Sequence, residues 1–450
     1  MLKKLILTTL CIIVSTSAQA QSLYEVYVEA LHNDPTYLGA VSQYDADSEL
    51  LPQAWSIILP SLGVNGTTSI NRTTLKGTQI NASTTEPTTS NRGYQASVEI
   101  DQILFDAGAF GGISFAKKSV QASAATKAAA LQDLMIRVSN AYFNVLQTEE
   151  EMRYAKLRKT SLARSLDQAQ QKYNVGLNTV TDVNLAQANY SSAVALLESS
   201  KNNIATAKED LRAITGQYYD DLAPLKDDFA LIAPEPLDPE QWVDVALNRN
   251  WTLKAASLTS QATHKNISIT RSGHYPTLGA ALDYANTYNR NSQTGASRTY
   301  QPQAALSLSV PIFQGGQVVS QTRQAIANYE VADQSEELTR RAIINSTRSN
   351  YLGVISIIAQ IKADKTAITA SQSALEGMNT GYKLGTQTMV DVLSAQDTLF
   401  DNQTTYATDR YNYLLTTLAL KQAAGTLQAK DLLNVNSWLE LNAKTDMTTL

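Results

Sequence analysis

The chain has 450 residues, with 36 basic and 41 acidic side chains, a formal net charge of −5, three histidines and one cysteine. An acidic balance of this kind argues against a nucleic-acid partner. His32, His264 and His274 have no second ligand at metal-binding spacing, and a lone Cys11 rules out a disulfide framework.

The first twenty residues, MLKKLILTTLCIIVSTSAQA, carry two lysines, an apolar run from Leu5 to Val14, and Ala18-Gln19-Ala20 before Gln21. They predict a secretory signal cleaved after Ala20, because the apolar run is too short to span a bilayer. Cys11 lies inside this segment without a small residue before it, so it does not read as a lipid-attachment site. No other stretch approaches eighteen consecutive apolar residues, and no transmembrane helix is expected.

A first helix is expected over about 22–58, with a kink at Pro52. The period then changes. In YQASVEID (94–101), apolar Tyr94, Ala96, Val98 and Ile100 alternate with Gln95, Ser97, Glu99 and Asp101. A partner strand starts near Leu62, across a Ser/Thr/Asn-rich loop. Two strands of about ten residues with one apolar face suit a tilted crossing of a bilayer.

No proline occurs between Pro87 and Pro224. From about Ala107 to Gln171 the chain therefore reads as one helix of about 65 residues and about 100 Å. Leu131, Leu134, Val138, Ala141 and Val145 recur at spacings of three and four, as in a coiled coil. YNVGLNTVTDV (173–183) ends it. Asn174 and Gly176 tolerate the left-handed conformation, and Thr179 or Thr181 can cap the next helix, about 182–214. That helix is rich in Ala, Ser and Asn. It reads either as a surface helix of a soluble bundle or as part of a thin helical wall, wet on both faces with narrow apolar seams.

The whole unit is then written again. YPTLGA at 275–280 answers LPSLGV at 59–64, IFQGG at 312–316 answers LFDAG at 104–108, and RSNYLGV at 348–354 answers SNAYFNV at 139–145. AALSLSV (304–310) alternates through Ala304, Leu306, Leu308 and Val310, beside a strand from Leu278. YKLGTQTMVDV (382–392) repeats the turn 209 residues later. The expected division is a signal at 1–20, a first repeat of helix, β-hairpin, long helix and short helix at 21–222, a Pro-rich linker at 223–241, a second repeat at 242–432, and a tail at 433–450. Four strands cannot close a barrel, for which about eight is the practical minimum, and open edges are not tolerated in lipid. Several copies must then share one barrel.

With its signal segment, duplicated helix–hairpin–helix–helix unit and paired Tyr-x-(Val/Leu)-Gly turns, the chain over about 21–440 resembles the TolC family of outer-membrane efflux and secretion channels, in its non-lipidated branch. The resemblance implies a mainly α fold with a small β part: long antiparallel coiled-coil helices plus four barrel strands per chain. It implies a homotrimer with a twelve-stranded β-barrel and a periplasmic α-helical tunnel, in the outer membrane of a Gram-negative bacterium. The implied partners are a periplasmic adaptor (membrane fusion protein), an inner-membrane transporter and outer-membrane lipid. No cofactor or metal is implied.

The resemblance also implies roles for particular residues. Thr181, Asp182 and Tyr382 match polar links that hold the tunnel tip closed until an iris-like untwisting opens it. Asp391 matches the upper of two aspartate rings. The second ring position holds Ser394, the basic link position Gln387, and two further polar link positions Ser165 and Asn379. Gln387 cannot make a salt bridge to Asp182, so closure is expected to lean on uncharged bonds from Tyr382. Val175, Gly176, Leu177, Leu384, Gly385 and Thr386 match the tip groove where adaptor helices dock. Read without the resemblance, Asp182 and Asp391 are helix caps and the two glycines are turn residues.

Rival functions fit less well. An enzyme would need a nucleophile, base or metal constellation. The repeated aspartates are followed by Val rather than by the Thr/Ser-Gly of an aspartic protease. A trimeric coiled-coil adhesin would not need two internal hairpins, and a diffusion porin would be mostly strand.

Overall fold

The computed structural model describes residues 20–74, 88–291 and 295–440. The expected signal segment before Ala20, the loop of the first hairpin and the end of the 433–450 tail lie outside the described residues.

The helix expected over 22–58 is three helices: α1 Leu23–Asn33, α2 Pro35–Ser48 and α3 Leu50–Ser56. The first break is at Asp34 (φ −69°, ψ 115°), because a residue before proline is pushed out of the helical region. The second break is at Glu49, three residues before Pro52, whose ring leaves no N–H to bond the Ser48 carbonyl. Pro52 itself sits in the first turn of α3, where its missing N–H breaks no bond within that helix. The second repeat opens the same way, with α6 Pro239–Arg249 and α7 Trp251–Arg271 separated at Asn250 (φ −66°, ψ 124°). No proline follows Asn250. Its side-chain amide instead donates to the Ala423 carbonyl at 2.9 Å.

The two long helices are unbroken: α4 Ala107–Asn174 and α8 Gln317–Leu384, 68 residues each. Each is followed by a shorter one, α5 Val180–Thr215 and α9 Met389–Ala423, and α10 Ala429–Asn436 comes last. Strands β1 Ser61–Thr74, β2 Thr88–Phe105, β3 Thr277–Asn291 and β4 Gly295–Ser309 form one antiparallel sheet in chain order. They are 14 to 18 residues long rather than about ten. Among the described residues no helix is long and apolar enough to cross a membrane.

The chain forms two compact units, each drawing on both repeats. One holds the residues through Val41, Lys127–Trp251 and Arg340 onward. Its core packs Leu134, Val138, Tyr142 and Phe143 of α4 against Tyr411, Leu414 and Leu418 of α9 and Leu23 and Val26 of α1. The irregular stretch after α5 is fastened to this core by Arg410, whose buried guanidinium donates to the Lys226 carbonyl at 2.6 Å. Along α5 the buried positions include Ala186, Ala193, Ser200 and Ala207, one per seven residues. Small residues at that period make a narrow coiled-coil seam, and most of the remaining α5 surface stays wet.

The other unit, Ser42–Thr126 and Thr252–Thr339, contains the sheet. Pairings such as Val64 with Val98, Ile100 with Leu282 and Leu282 with Ala304 put the even-numbered residues of all four strands on one face. That face is apolar and exposed, Val64 at 75% and Leu306 at 69%. Hairpin β1–β2 joins hairpin β3–β4 through β2 and β3, which leaves β1 and β4 as edges.

Candidate functional site at the helical turns

Both turns belong to the first unit, and both are built alike. After α4, the N–H of Gly176 donates to the Tyr173 carbonyl (2.9 Å) and that of Leu177 to the Lys172 carbonyl (2.8 Å). After α8, Gly385 donates to Tyr382 (3.3 Å) and Thr386 to Gly381 (2.8 Å). This pair of bonds is the Schellman termination, whose pivot must be left-handed. Gly176 and Gly385 supply it at φ 76° and 79°. A side chain other than glycine or asparagine there costs about 1–2 kcal/mol.

The helices that follow start with reciprocal capping boxes. Thr179 Oγ1 accepts from the Asp182 N–H at 3.2 Å, and the Asp182 carboxylate accepts from the Thr179 N–H at 3.1 Å. Thr388 and Asp391 repeat this at 3.2 and 2.8 Å. Thr179 is thus the cap, and Thr181 lies one residue inside α5, exposed. The bonds from the Thr388 hydroxyl and N–H hold the Asp391 carboxyl below the usual carboxylate range.

Tyr382 is the buried centre of the site, 5% exposed. Its hydroxyl accepts from Asn178 Nδ2 at 2.8 Å, and its carbonyl accepts from Lys172 Nζ at 2.7 Å. The same ammonium lies 3.6 Å from the Tyr382 ring centroid. Burial raises the pKa of the phenol, the Asn178 bond opposes this, and the Asp182 charge adds to it. Apolar cover comes from Leu375, Met389, Val392 and Leu393. The motif reading missed Lys172 and Asn178. Both stand within the first turn and the helix end before it, but nothing in a repeated pattern marks them, because the second copy has Gly381 and Gln387 at those places.

The other expected link residues are spread out. Ser165 is buried two turns up α4, where its hydroxyl accepts from Gln396 Nε2 at 3.1 Å. Asn379 is half-buried on α8, and Gln387 and Ser394 are exposed. The Gln387 side chain lies against Gly381, where an added Cβ would come 2.5 Å from its Cγ. Asp397 pairs with Arg158 of α4 at 2.6 Å and so does not join Asp391. At the turns themselves Val175, Leu177 and Leu384 are 70%, 75% and 75% exposed. Among the described residues no group of three or more His, Cys, Asp or Glu could hold a metal.

Two copies of a helix, hairpin, long helix and shorter helix in one chain, with the two hairpins joined in one exposed sheet, set the fold class. The family model described as outer membrane efflux protein matches residues 26–217 and 242–426, and the chain belongs to that family. It is 33% identical to outer membrane protein TolC of Escherichia coli K12, over 96% of this chain and 88% of that one. It is 25% identical to the alkaline protease secretion protein AprF of Pseudomonas aeruginosa, over 92% and 86%. Among solved structures, the Campylobacter jejuni CmeC outer membrane channel superposes with a TM-score of 0.76 at 16% identity, over 93% and 90%. The chain is therefore an outer-membrane duct for efflux or secretion and not an enzyme.

Proposed function

We propose that the chain works as a homotrimer whose three four-stranded sheets close one twelve-stranded barrel. Its paired helices form the periplasmic tunnel, between an inner-membrane transporter with its periplasmic adaptor and the exterior. Lipid of the outer membrane covers the apolar sheet face. The repeats at 21–222 and 242–432, joined by the 223–241 linker, each supply one hairpin and one turn. Tyr382, with Thr181, Asp182, Gln387, Ser165 and Asn379, belongs to the closed gate, and Asp391 and Ser394 to its constriction.

The single observation that carries this reading is the pair of exposed apolar turns. Val175, Leu177 and Leu384 sit largely exposed around Gly176 and Gly385, next to Thr386, and among the described residues no atom comes within 4 Å of a Cβ built at either glycine. Exposed apolar groups on two turns with the same Schellman termination suit a repeated docking contact. A cysteine at Leu177 or Leu384 should crosslink to the adaptor in cells. Failure of both, with the channel present in the outer membrane, would remove the docking role. A detergent-corrected mass of one chain would remove the shared barrel.

A further inference from the structure

The strands carry four basic residues, Arg72, Arg92, Arg290 and Arg298, and three acidic ones, Glu99, Asp101 and Asp283. All four arginines are even-numbered and share the apolar face, and all three carboxylates are on the opposite face. Placing every positive charge of a sheet on its lipid-suited side is the reverse of what solvation alone would select.

Their height along the strands gives the reason. The helices attach at Ser61, Phe105, Thr277 and Ser309, and the arginines sit towards the other end. Ten residues from Leu278 to Tyr288 rise about 33 Å, which a tilt of about 40° projects to roughly 25 Å, the height of an outer-membrane apolar band. At the top of that band Tyr94 and Tyr288 stack with centroids 5.1 Å apart. Arg298 lies opposite Tyr288 in this row, and Arg92 and Arg290 lie one even position beyond it.

Arg92 and Arg290 stand directly opposite each other on neighbouring strands. Like charges in that register destabilise a sheet unless an anion lies between them. Arg298 is already oriented, since its Nη2 donates to the Tyr94 hydroxyl at 2.6 Å. Among the described strand residues, no carboxylate on this face neutralises them. The forked guanidinium, unlike lysine, matches two phosphate oxygens at once.

We propose that Arg92, Arg290 and Arg298 form a rim that binds the phosphorylated headgroup of an outer-leaflet glycolipid, with its acyl chains lying on the apolar face below the tyrosines. This rests on the outer-membrane duct reading, which puts the helix-distal ends of the strands at the outer surface.

The test uses the full-length protein, purified in neutral detergent and titrated with bisphosphorylated lipid A, with dephosphorylated lipid A, and with inorganic phosphate as competitor. Native mass spectrometry reads the bound lipid. The wild-type protein should prefer the bisphosphorylated lipid by roughly tenfold or more, and the Arg92→Gln/Arg290→Gln double variant should lose that preference. Tyr94→Phe, which removes one of the two tyrosine hydroxyls bonded to Arg298 and leaves Tyr300, should lose part of it and serves if the double variant does not assemble. Equal binding of the two lipids by the wild type, or a preference kept in full by the variants, would overturn the rim. Displacement of the lipid by millimolar phosphate would overturn its lipid assignment. Single-channel conductance is recorded on the same samples. A conducting variant with unaltered lipid preference overturns the rim alone, whereas a wild-type protein that does not conduct overturns the duct reading.

Discussion

Lys172 holds Tyr382 twice, with its ammonium 3.6 Å from the ring centroid and 2.7 Å from the backbone carbonyl. One side chain at the end of α4 thereby fastens the end of α8. The contact is made in one direction only. The repeat places Gly381 where Lys172 stands, and Tyr173, the counterpart of Tyr382, is 43% exposed.

If this contact holds the closed gate, removing it should open the channel more than removing the phenol hydroxyl. Tyr382→Phe loses one uncharged hydrogen bond, worth about 0.5–1.5 kcal/mol. Lys172→Met loses a charge-assisted bond and a cation–π contact together, about 2–3 kcal/mol. Open probability in a planar bilayer should rise in both variants, and more in Lys172→Met. The opposite order would mean that Asn178, rather than Lys172, is the main restraint.

Docking and turn chemistry are separable at the glycines. Asparagine tolerates a positive φ, so Gly176→Asn and Gly385→Asn should keep the turn while adding bulk to its surface. No atom lies within 4 Å of a Cβ at either position, so the added side chain meets only a partner. Channel levels should be normal and export strongly reduced. Normal export in both variants would leave these glycines as turn residues alone.

Gly425 should behave differently. It also has a positive φ, 69°, but a Cβ there would lie 2.4 Å from the Arg249 carbonyl oxygen. Backbone cannot yield as a side chain would, so Gly425→Ala should lower the amount of assembled channel rather than its activity. An assembled Gly425→Ala channel at wild-type level would show that this packing is looser than it looks.

Asp391 gives a pH dependence of known sign. Its carboxyl is held low by the Thr388 bonds, so the capping contribution is complete above the unfolded value of about 3.9 and is lost as pH falls through the depressed folded value. Corrected hydrogen-exchange protection at the start of α9 should therefore stay flat from neutral pH to about 4 and fall only below that. In Asp391→Asn it should be reduced throughout, with little pH dependence left.

The same residue sets the expected ion response. Three Asp391 carboxylates around a narrow trimer entrance would favour cations, but Ser394 supplies no second ring. Block by trivalent cations should be strengthened by Ser394→Asp and mostly abolished by Asp391→Asn. Unchanged selectivity and block in Asp391→Asn would confine Asp391 to its cap.

Periodicity and proline spacing reveal most of this architecture. The long helices, both turns and the alternating strands follow from patterns that repeat within the chain. The break at Asp34 is equally legible, since Pro35 follows it and a residue before proline leaves the helical region. The break at Asn250 was not readable, because it depends on a carbonyl of residue 423. Lys172 and Asn178 escaped for the opposite reason: a duplicated motif draws attention to what its copies share, and these two make their contacts where the copies differ. Ser165 is legible only as a polar position on a long helix, since its partner Gln396 lies on α9, 231 residues away in the chain.

The open edges at β1 and β4 have a genetic consequence. If each chain lends one edge to the next and borrows one in return, a subunit defective at either edge spoils every ring it enters. Its sound neighbours would be trapped with it. In a cell carrying both alleles, every mixed ring would then hold at least one bad seam. Mutations along β1 or β4 should therefore be inherited as dominant, whereas mutations that prevent the chain from folding at all should be recessive.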